Sequence, residues 1–192
     1  MRECILALGS NLGNRADILQ GGVDAIATIP DVQVMAVSPV YETVPVGGPP
    51  QPDYLNAVLL ARTSLPLAAL LDRLHEVETA FDRIREVRWG PRTLDIDIIT
   101  AGDERSDDPL LTLPHPRAHE RAFVLGPWRD MDPDAVLPGH GRVAGLLDSL
   151  PAADRSGIRR SAVVLAAPAA PVPDPAAPAP VPGVPASDPE RT

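Results

Sequence analysis

The pattern of apolar and polar residues changes period several times along the first hundred positions. Residues 3 to 8 are mostly apolar and predict a strand, while residues 18 to 29 carry apolar side chains at helical spacing. An alternating pattern over 32 to 41 predicts a second strand, and residues 55 to 61 predict a third. Apolar residues return at helical spacing over 67 to 81, which predicts a second helix.

A fourth strand is predicted over residues 94 to 101, which makes the element order β-α-β-β-α-β. This order is typical of an α+β, ferredoxin-like sandwich, an antiparallel sheet with both helices on one face. The other face is expected to stay open for a ligand, and the proline-rich stretch from 44 to 52 to form a long loop. Additional C-terminal elements are predicted, namely helical pieces around 118 to 130 and 143 to 150 and a last strand over 161 to 166.

Proline and alanine dominate the end of the chain, where no apolar periodicity survives. Such a composition predicts a disordered or polyproline-II segment. The folded domain is therefore expected to span residues 1 to 165, and the tail residues 166 to 192.

Composition removes several classes of function. All 17 basic residues are arginine, which excludes a P-loop, a protein kinase and Schiff-base chemistry, because each requires a lysine. The net charge of −9 argues against a nucleic-acid partner. No run approaches the roughly 18 apolar residues of a membrane span, and the signal-peptide pattern is missing. A cytoplasmic monomer is expected, and the single cysteine, Cys4, allows no intrachain disulfide.

The segment from 88 to 98 places arginines just before two carboxylates that alternate with isoleucines. Because successive side chains of a strand point to opposite faces, Ile96 and Ile98 are predicted to enter a core. Asp95 and Asp97 then share the other face, about 7 Å apart along the strand. Two like charges on one face favour a bound cation, most simply Mg²⁺.

Arginines beside metal-binding carboxylates are what a polyphosphate site requires. Four of them fall within ten residues, namely Arg83, Arg85, Arg88 and Arg92. Taken alone, the two aspartates are better explained as the solvent face of a strand. Aspartate is depleted in strands, however, and arginines and Trp89 are adjacent, so a site is the favoured interpretation.

Three further candidates are weaker when each is taken alone. Glu78 falls at the edge of the second helix's apolar stripe, which predicts either a functional carboxylate or a salt bridge at the helix end. Tyr54 and Asn56 share one strand face, which suits either recognition of a planar heterocycle or a half-buried surface pair. His115 and His119 have a zinc-like spacing but no third ligand nearby, and a histidine at a helix start could instead bond a phosphate.

With these residues in view, the chain closely resembles the 6-hydroxymethyl-7,8-dihydropterin pyrophosphokinases of folate synthesis. The resemblance covers roughly residues 4 to 150, and its most specific part is RWGPRTLDIDI at 88 to 98. Supporting matches follow the family's order: LGSNLG at 8–13, YET at 41–43, DYLNA at 53–57, Glu78 with Arg83 and Arg85, LPHP at 113–116, and HERAFVL at 119–125.

The resemblance implies transfer of pyrophosphate from ATP, the co-substrate, to the pterin hydroxymethyl group, with release of AMP. The implied catalytic residues are Arg83, Arg92, Asp95 and Asp97, and the two aspartates are implied to hold two Mg²⁺ ions. The implied pterin contacts are Thr43, Val46, Tyr54, Asn56, Asp95 and Phe123. The implied ATP contacts are Glu78, Arg85, Trp89, Arg92, Ile98, Thr112, His115 and Arg121.

Two positions depart from the family pattern: His75 stands where some members have glutamine, and Leu110 where some have a basic residue. The resemblance leaves two alternatives. A Mg²⁺-dependent nucleotidyltransferase on the same sheet would release pyrophosphate rather than AMP. A non-catalytic ligand-binding module would tolerate the loss of Asp95 or Asp97.

Overall fold

Most of the longer strands and the two longest helices lie in the first half of the chain, and shorter elements predominate in the second. The computed structural model describes residues 1–45, 50–81 and 93–168. The strands are β1 Arg2–Ser10, β2 Val32–Val37, β3 Tyr41–Thr43, β4 Tyr54–Thr63, β5 Asp95–Ala101, β6 Ser106–Asp108, β7 Leu111–Leu113, β8 Val136–Leu137, β9 Gly141–Arg142 and β10 Ile158–Arg160. The helices are α1 Arg15–Ala27, α2 Leu67–Ala80, α3 Ala122–Met131, α4 Val143–Ser149 and α5 Ala152–Ser156, with a 3-10 turn at Ala118–Glu120.

The principal sheet is antiparallel, and β1 and β4 lie at its centre. Its order is β10-β3-β4-β1-β5, and β2 pairs with the remaining length of β4. The β1–β4 ladder runs without interruption from the pair Arg2 and Thr63 to the pair Ser10 and Leu55. The mixed α/β class with an antiparallel sheet is therefore as expected. Among the described helices, none has both the length and the apolar character needed to cross a membrane.

The strand predicted over residues 32 to 41 is in fact two strands, β2 and β3. The chain between them contacts β4 through Ser38, whose backbone N–H donates to Val58 O at 2.9 Å. The Ser38 hydroxyl accepts the Val58 N–H at 2.8 Å. One residue thus satisfies both backbone groups of Val58, and β4 gains two successive partners along one side.

Each face of the sheet is covered by its own helices. One core joins α1 and α2 to the sheet through alternate positions of the central strands, including Leu6, Leu59 and Ile98. A second core lies on the opposite face and joins Ile5, Val58 and Ile99 to α3 and α4. The expectation of helices on one face and an open opposite face was therefore wrong over this part of the sheet. Its cause is the apolar face of α3, which packs against β4.

The strand predicted over residues 161 to 166 was also wrong, because the last strand, β10, lies just before it. β10 pairs with β3. The segment that follows runs over α1 instead of pairing with a strand. Ala166 and Gln20 exchange two hydrogen bonds, of 2.8 Å from the Ala166 N–H and 3.2 Å to its carbonyl. Leu165 is buried in the first core and anchors this segment.

Candidate active site

Polar side chains gather on the α3 face of the sheet, at the end that the second core leaves open. In the strand register, Asn56 of β4, Gly9 of β1 and Asp95 of β5 form one row across three strands. Ala7 and Asp97 form part of the next row. Directly paired residues of antiparallel strands share a face, so the amide and both carboxylates emerge on the same side.

Alternation along β5 gives the arrangement that the sequence predicted. Ile96 and Ile98 are buried in the first core, while Asp95 and Asp97 are only partly buried on the opposite face. Ile99, two residues after Asp97, lies on the same face and belongs to the second core, and the register against β1 shifts by one residue at this point. The carboxylates therefore lie beside a well-packed apolar anchor.

Gly9 makes room for the amide of Asn56. A Cβ atom at this position would lie 2.9 Å from Asn56 Oδ1 and 3.8 Å from a ring carbon of Tyr54. The amide is oriented by Asn56 Nδ2, which donates to Thr43 Oγ1 at 2.8 Å. Asn56 is only 6% exposed, so this geometry is fixed by packing as well as by hydrogen bonding.

Tyr54 and Asn56 share a face, as predicted, and Tyr54 pairs with Thr43 of β3. The Tyr54 hydroxyl donates to Gln51 Oε1 at 3.3 Å. Phe123 is the second residue of α3 and packs at the border of the second core. The aromatic residues therefore come from the two elements that flank the open end of this face.

Asp97 is engaged by a cation from the segment that leads into α3. Arg121 Nη1 donates to Asp97 Oδ2 at 3.0 Å, and the Arg121 guanidinium carbon lies 5.5 Å from the centroid of the Phe123 ring. Because both members of the ion pair are partly buried, it lies in a less strongly screened setting than a fully exposed pair. The pair keeps a positive charge next to a predicted metal ligand.

His115 lies beside the same carboxylate, and its Nε2 is 3.8 Å from Asp97 Oδ2. The His115 N–H donates to Ile99 O at 2.8 Å, which ties this segment to the edge of β5. Burial lowers the pKa of His115, Asp97 partly opposes this shift, and Arg121 adds to it. Nδ1 accepts the Arg117 N–H at 3.1 Å, and Nε2 lies 3.3 Å from Arg121 Nη1.

Glu78 is completely buried, which corrects its predicted place at the edge of the apolar stripe. Its Oε1 accepts the Ile96 N–H at 2.8 Å. This N–H belongs to the residue between the two aspartates. It points away from β1, toward the side of β5 on which the described sheet has no further strand. The carboxylate therefore fixes the part of β5 that carries Asp95 and Asp97.

The two histidines of the zinc-like spacing are separated rather than brought together. His119 stacks on His140, with ring centroids 4.2 Å apart, whereas His115 faces Asp97. The described ranges contain no cluster of three or more metal-ligating side chains. Thr112 lies in the β6–β7 hairpin, and its hydroxyl donates to Asp108 O at 3.0 Å.

Several predicted site residues lie outside the described residues, namely Val46, Arg83, Arg85, Trp89 and Arg92. Sequence reasoning also missed a buried polar side chain, Asn11, which contacts the residues just before Tyr54. Asn11 is 1% exposed and donates to Gln51 Oε1 at 3.0 Å and to Pro52 O at 3.1 Å. The only sequence signal was its place in the LGSNLG motif at 8–13, which entered the sequence analysis as a supporting family match.

A family model described as 7,8-dihydro-6-hydroxymethylpterin-pyrophosphokinase matches residues 5–133, which include every strand and carboxylate of this site. The chain belongs to this family. The resemblance drawn from the motifs is thereby confirmed. The pyrophosphokinase family model ends within the loop after α3, so α4, α5 and β10 lie beyond it.

Curated relatives carry the name 2-amino-4-hydroxy-6-hydroxymethyldihydropteridine pyrophosphokinase. The Pseudomonas aeruginosa protein is 41% identical over 151 residues, which are 79% of this chain and 93% of the relative. The Mycobacterium leprae protein is 42% identical over 190 residues, covering 90% of this chain and 97% of the relative.

Solved structures show the same fold at much lower identity. Plasmodium falciparum HPPK-DHPS with pterin and p-hydroxybenzoate has a TM-score of 0.62 and 14% identity. The match covers 83% of this chain but only 45% of that one, so this chain spans less than half of it.

Proposed function

We propose that this chain transfers the pyrophosphoryl group of ATP to the hydroxymethyl group of 6-hydroxymethyl-7,8-dihydropterin, giving AMP and the pterin diphosphate in folate biosynthesis. One observation carries the proposal: Asn56, Gly9 and Asp95 form a row across three strands, with Asp97 in the next row. This puts an amide for a heterocycle's edge next to two carboxylates for metal-bound phosphates. Family membership and the relatives' names support the same reaction.

Asp95 and Asp97 suit Mg²⁺ in their donor chemistry. They offer carboxylate oxygens from alternate positions of one strand, on one face and partly exposed. Mg²⁺ in nucleotide enzymes is typically held by one or two carboxylates, with waters and substrate phosphates as the other ligands. We propose two ions here; when bound, they would neutralise phosphate charge and lower the pKa of the pterin hydroxyl.

The proposed pterin contacts surround the open end of the sheet. Tyr54 and Phe123 would supply aromatic faces, and Asn56 would recognise the polar edge of the heterocycle. Thr43 already holds the Asn56 amide in one orientation. Asp95 would meet the hydroxymethyl group, and Val46, which lies outside the described residues, would add a backbone contact.

The proposed ATP contacts divide into side-chain and backbone roles. Arg121, His115 and Thr112 are each partly exposed, and the first two lie beside Asp97. Glu78 and Ile98 are buried, so we assign them roles through the strand they support. The Ile96 N–H points outward to Glu78, and the backbone of Ile98, two residues on, shares that outward edge. The remaining proposed contacts, Arg85, Trp89 and Arg92, lie outside the described residues.

The chain's own residues would bind, orient and neutralise, with no covalent intermediate on the protein. The pterin hydroxyl would lose its proton to solvent as its oxygen attacks the β-phosphorus of ATP. The bond between the β-phosphorus and the oxygen that bridges to the α-phosphorus would break, and AMP would leave with that oxygen. Arg83 and Arg92 are proposed to meet the charge that grows on the phosphates. Arg121 adds a fixed positive charge close to Asp97.

Further expectations about fold, location and partners belong to this proposal. We describe the first core and its sheet as ferredoxin-like, which is supported by the antiparallel order β5-β1-β4 followed by β2 and β3. We further propose a cytoplasmic monomer that acts on small molecules, without a nucleic-acid or membrane partner. The acidic net charge of −9 supports the absence of a nucleic-acid partner.

The test is to mix the protein with ATP, Mg²⁺ and the dihydropterin and to separate the products. AMP and pterin diphosphate in equal amounts are expected. Release of inorganic pyrophosphate would instead indicate a nucleotidyltransferase, and binding without turnover would indicate a ligand-binding module. Omission of the pterin is the control, because ATP hydrolysis alone would also contradict the proposal.

A further inference from the structure

The three residues before β4 are held in place by side chains rather than by strand pairing. Asn11 binds the carbonyl of Pro52, and Arg15 Nη1 donates to the carbonyl of Asp53 at 2.7 Å. Tyr54 follows directly as the first residue of β4. The direction in which its ring leaves the strand therefore depends on how these carbonyls are fixed.

Arg15 is itself fixed by a carboxylate. Its Nη1 also donates to Glu42 Oε1 at 3.0 Å, and the other carboxylate oxygen accepts two bonds from Arg159, at 3.1 and 2.8 Å. Hydrogen bonds from Arg159 and Arg15 lower the pKa of Glu42, against the opposing effect of burial. The carboxylate is thus ionised at neutral pH, and it holds the guanidinium against the Asp53 carbonyl.

This cluster lies on the opposite side of the sheet from the proposed pterin contacts. Glu42 pairs with Leu55, while its neighbour Thr43 pairs with Tyr54. Because side chains alternate along a strand, Glu42 and Arg15 stand behind the surface that Thr43 and Tyr54 present. Arg15 therefore has no direct path to the proposed ligand and can act only through the backbone.

The energetic balance favours a local effect. Arg15 and Glu42 are partly buried, with side chains 30% and 22% exposed, and the Arg15 bonds reach Glu42 and one carbonyl before β4 rather than the β1–β4 ladder. The rest of β4 is held by continuous pairing with β1. Loss of the Arg15 bonds would therefore release the turn before Tyr54 without unfolding the sheet.

We propose that Arg15, held by Glu42, is a positioning residue that sets the Tyr54 ring for a planar heterocyclic substrate. The inference rests on the proposed function for the identity of that heterocycle. It adds a residue on α1, outside the site, to those that determine substrate affinity.

The test compares Arg15→Met with a matched control, Arg62→Met. Arg62 likewise forms an ion pair with a glutamate, in this case across two strands, with Glu3 at the far end of the β1–β4 ladder at 2.7 Å. Affinity for the dihydropterin is measured by fluorescence titration with Mg²⁺ and a non-hydrolysable ATP analogue. We expect Arg15→Met to weaken pterin binding about tenfold, with the affinity for the analogue and the melting temperature at the control's values. Arg15→Lys is expected to recover part of the loss.

A double-mutant cycle separates positioning from general structural damage. If Arg15 acts through Tyr54, then Arg15→Met has little further effect in a Tyr54→Ala background. The inference would be overturned if the fold-loss of pterin affinity in the double variant equalled the product of the two single losses. It would also be overturned if Arg15→Met lost pterin and nucleotide affinity equally, or if it bound the pterin as tightly as the wild type. Product analysis of the wild type remains separate: absence of AMP would contradict the proposed function, whatever the titrations show.

Discussion

The α3 face of the sheet has two ends with opposite character, although the same three strands build both. At one end Ile5, Val58 and Ile99 pack under α3 and α4. One or two alternations further along, the same strands present a glycine, an amide and two carboxylates. On β1 the side chains shorten stepwise through Ile5, Ala7 and Gly9, which opens the surface as the core ends.

Stability and chemistry are therefore separable along each of these strands. A core residue and a site residue are only two positions apart on β4, yet they face the same side. Substitutions at one end should change the free energy of unfolding, and those at the other should change turnover. Four experiments test that separation.

The largest contrast is expected between Asp95→Asn or Asp97→Asn and Val58→Ala. The aspartate variants should lose turnover by about 10²-fold or more, because they remove charge from the proposed metal site. Their melting temperatures should stay close to wild type. Val58→Ala should cost about 2 kcal/mol of stability, because it empties a fully buried position, while the folded fraction stays active. Steady-state kinetics with saturating Mg²⁺ measure the turnover of each variant, and thermal denaturation measures its stability. Normal turnover by either aspartate variant would contradict the metal proposal.

A smaller effect is expected from Gly9→Ala, compared with Gly145→Ala as a control. The new Cβ would lie 2.9 Å from Asn56 Oδ1, so the amide must shift, whereas nothing lies within 4 Å of a Cβ at Gly145. We expect pterin affinity to fall about tenfold in the first variant, in line with a loss of one to two hydrogen bonds. The control should bind normally and be slightly more stable, because it replaces glycine in a helix. Unchanged pterin affinity in Gly9→Ala would refute the row of Asn56, Gly9 and Asp95 as a binding surface.

Truncation tests the boundary of the first core. Removal of everything after Ala167 should leave the melting temperature unchanged, because Leu165 and the Ala166–Gln20 bonds remain. Removal after Ser161 should lower the melting temperature by several degrees, since burial of a leucine side chain contributes about 2 kcal/mol. AMP formation per folded molecule should be equal in both proteins. A cut after Ala167 that destabilises the domain would show that the last residues dock on it.

The smallest effect concerns pH. The folded-state pKa values of His115 and His140 are both lowered, for each mainly by burial. The unfolded chain therefore takes up these protons first, and stability should decline as the pH falls below about 6.5. His115→Gln and His140→Gln should each reduce this decline, but only the first should affect ATP affinity. Urea titrations between neutral and mildly acidic pH provide the measurement, and an unchanged slope in His115→Gln would reject its assignment as a buried neutral ring.

Local patterns predicted the parts of the site that lie on one strand. The alternation of Ile96 and Ile98 with the aspartates and the shared face of Tyr54 and Asn56 follow from a period of two. The family motifs then added His115 and Arg121, which the structure places beside Asp97.

Contacts between distant segments were beyond such patterns. The buried Glu78 carboxylate accepts the outward N–H of Ile96, a backbone donor that needs a partner. The sequence around α2 does not indicate this partner on β5. His119 stacks on a ring 21 positions later, so its spacing from His115 was misleading. The apolar run at 161 to 166 belongs to a segment that bonds to Gln20 of α1, whereas the strand that pairs with β3 is the preceding β10, which contains two arginines.

The buried Glu78 carboxylate also bears on how molecules of this protein behave at high concentration. β5 ends the sheet, and an exposed edge strand is a template on which a second chain can add its own strand. Here the Ile96 N–H is taken by Glu78, and the Ile99 carbonyl by the His115 N–H. The same two bonds that hold the proposed site therefore close this edge against intermolecular pairing, so a variant at Glu78 is expected to aggregate as well as to lose activity.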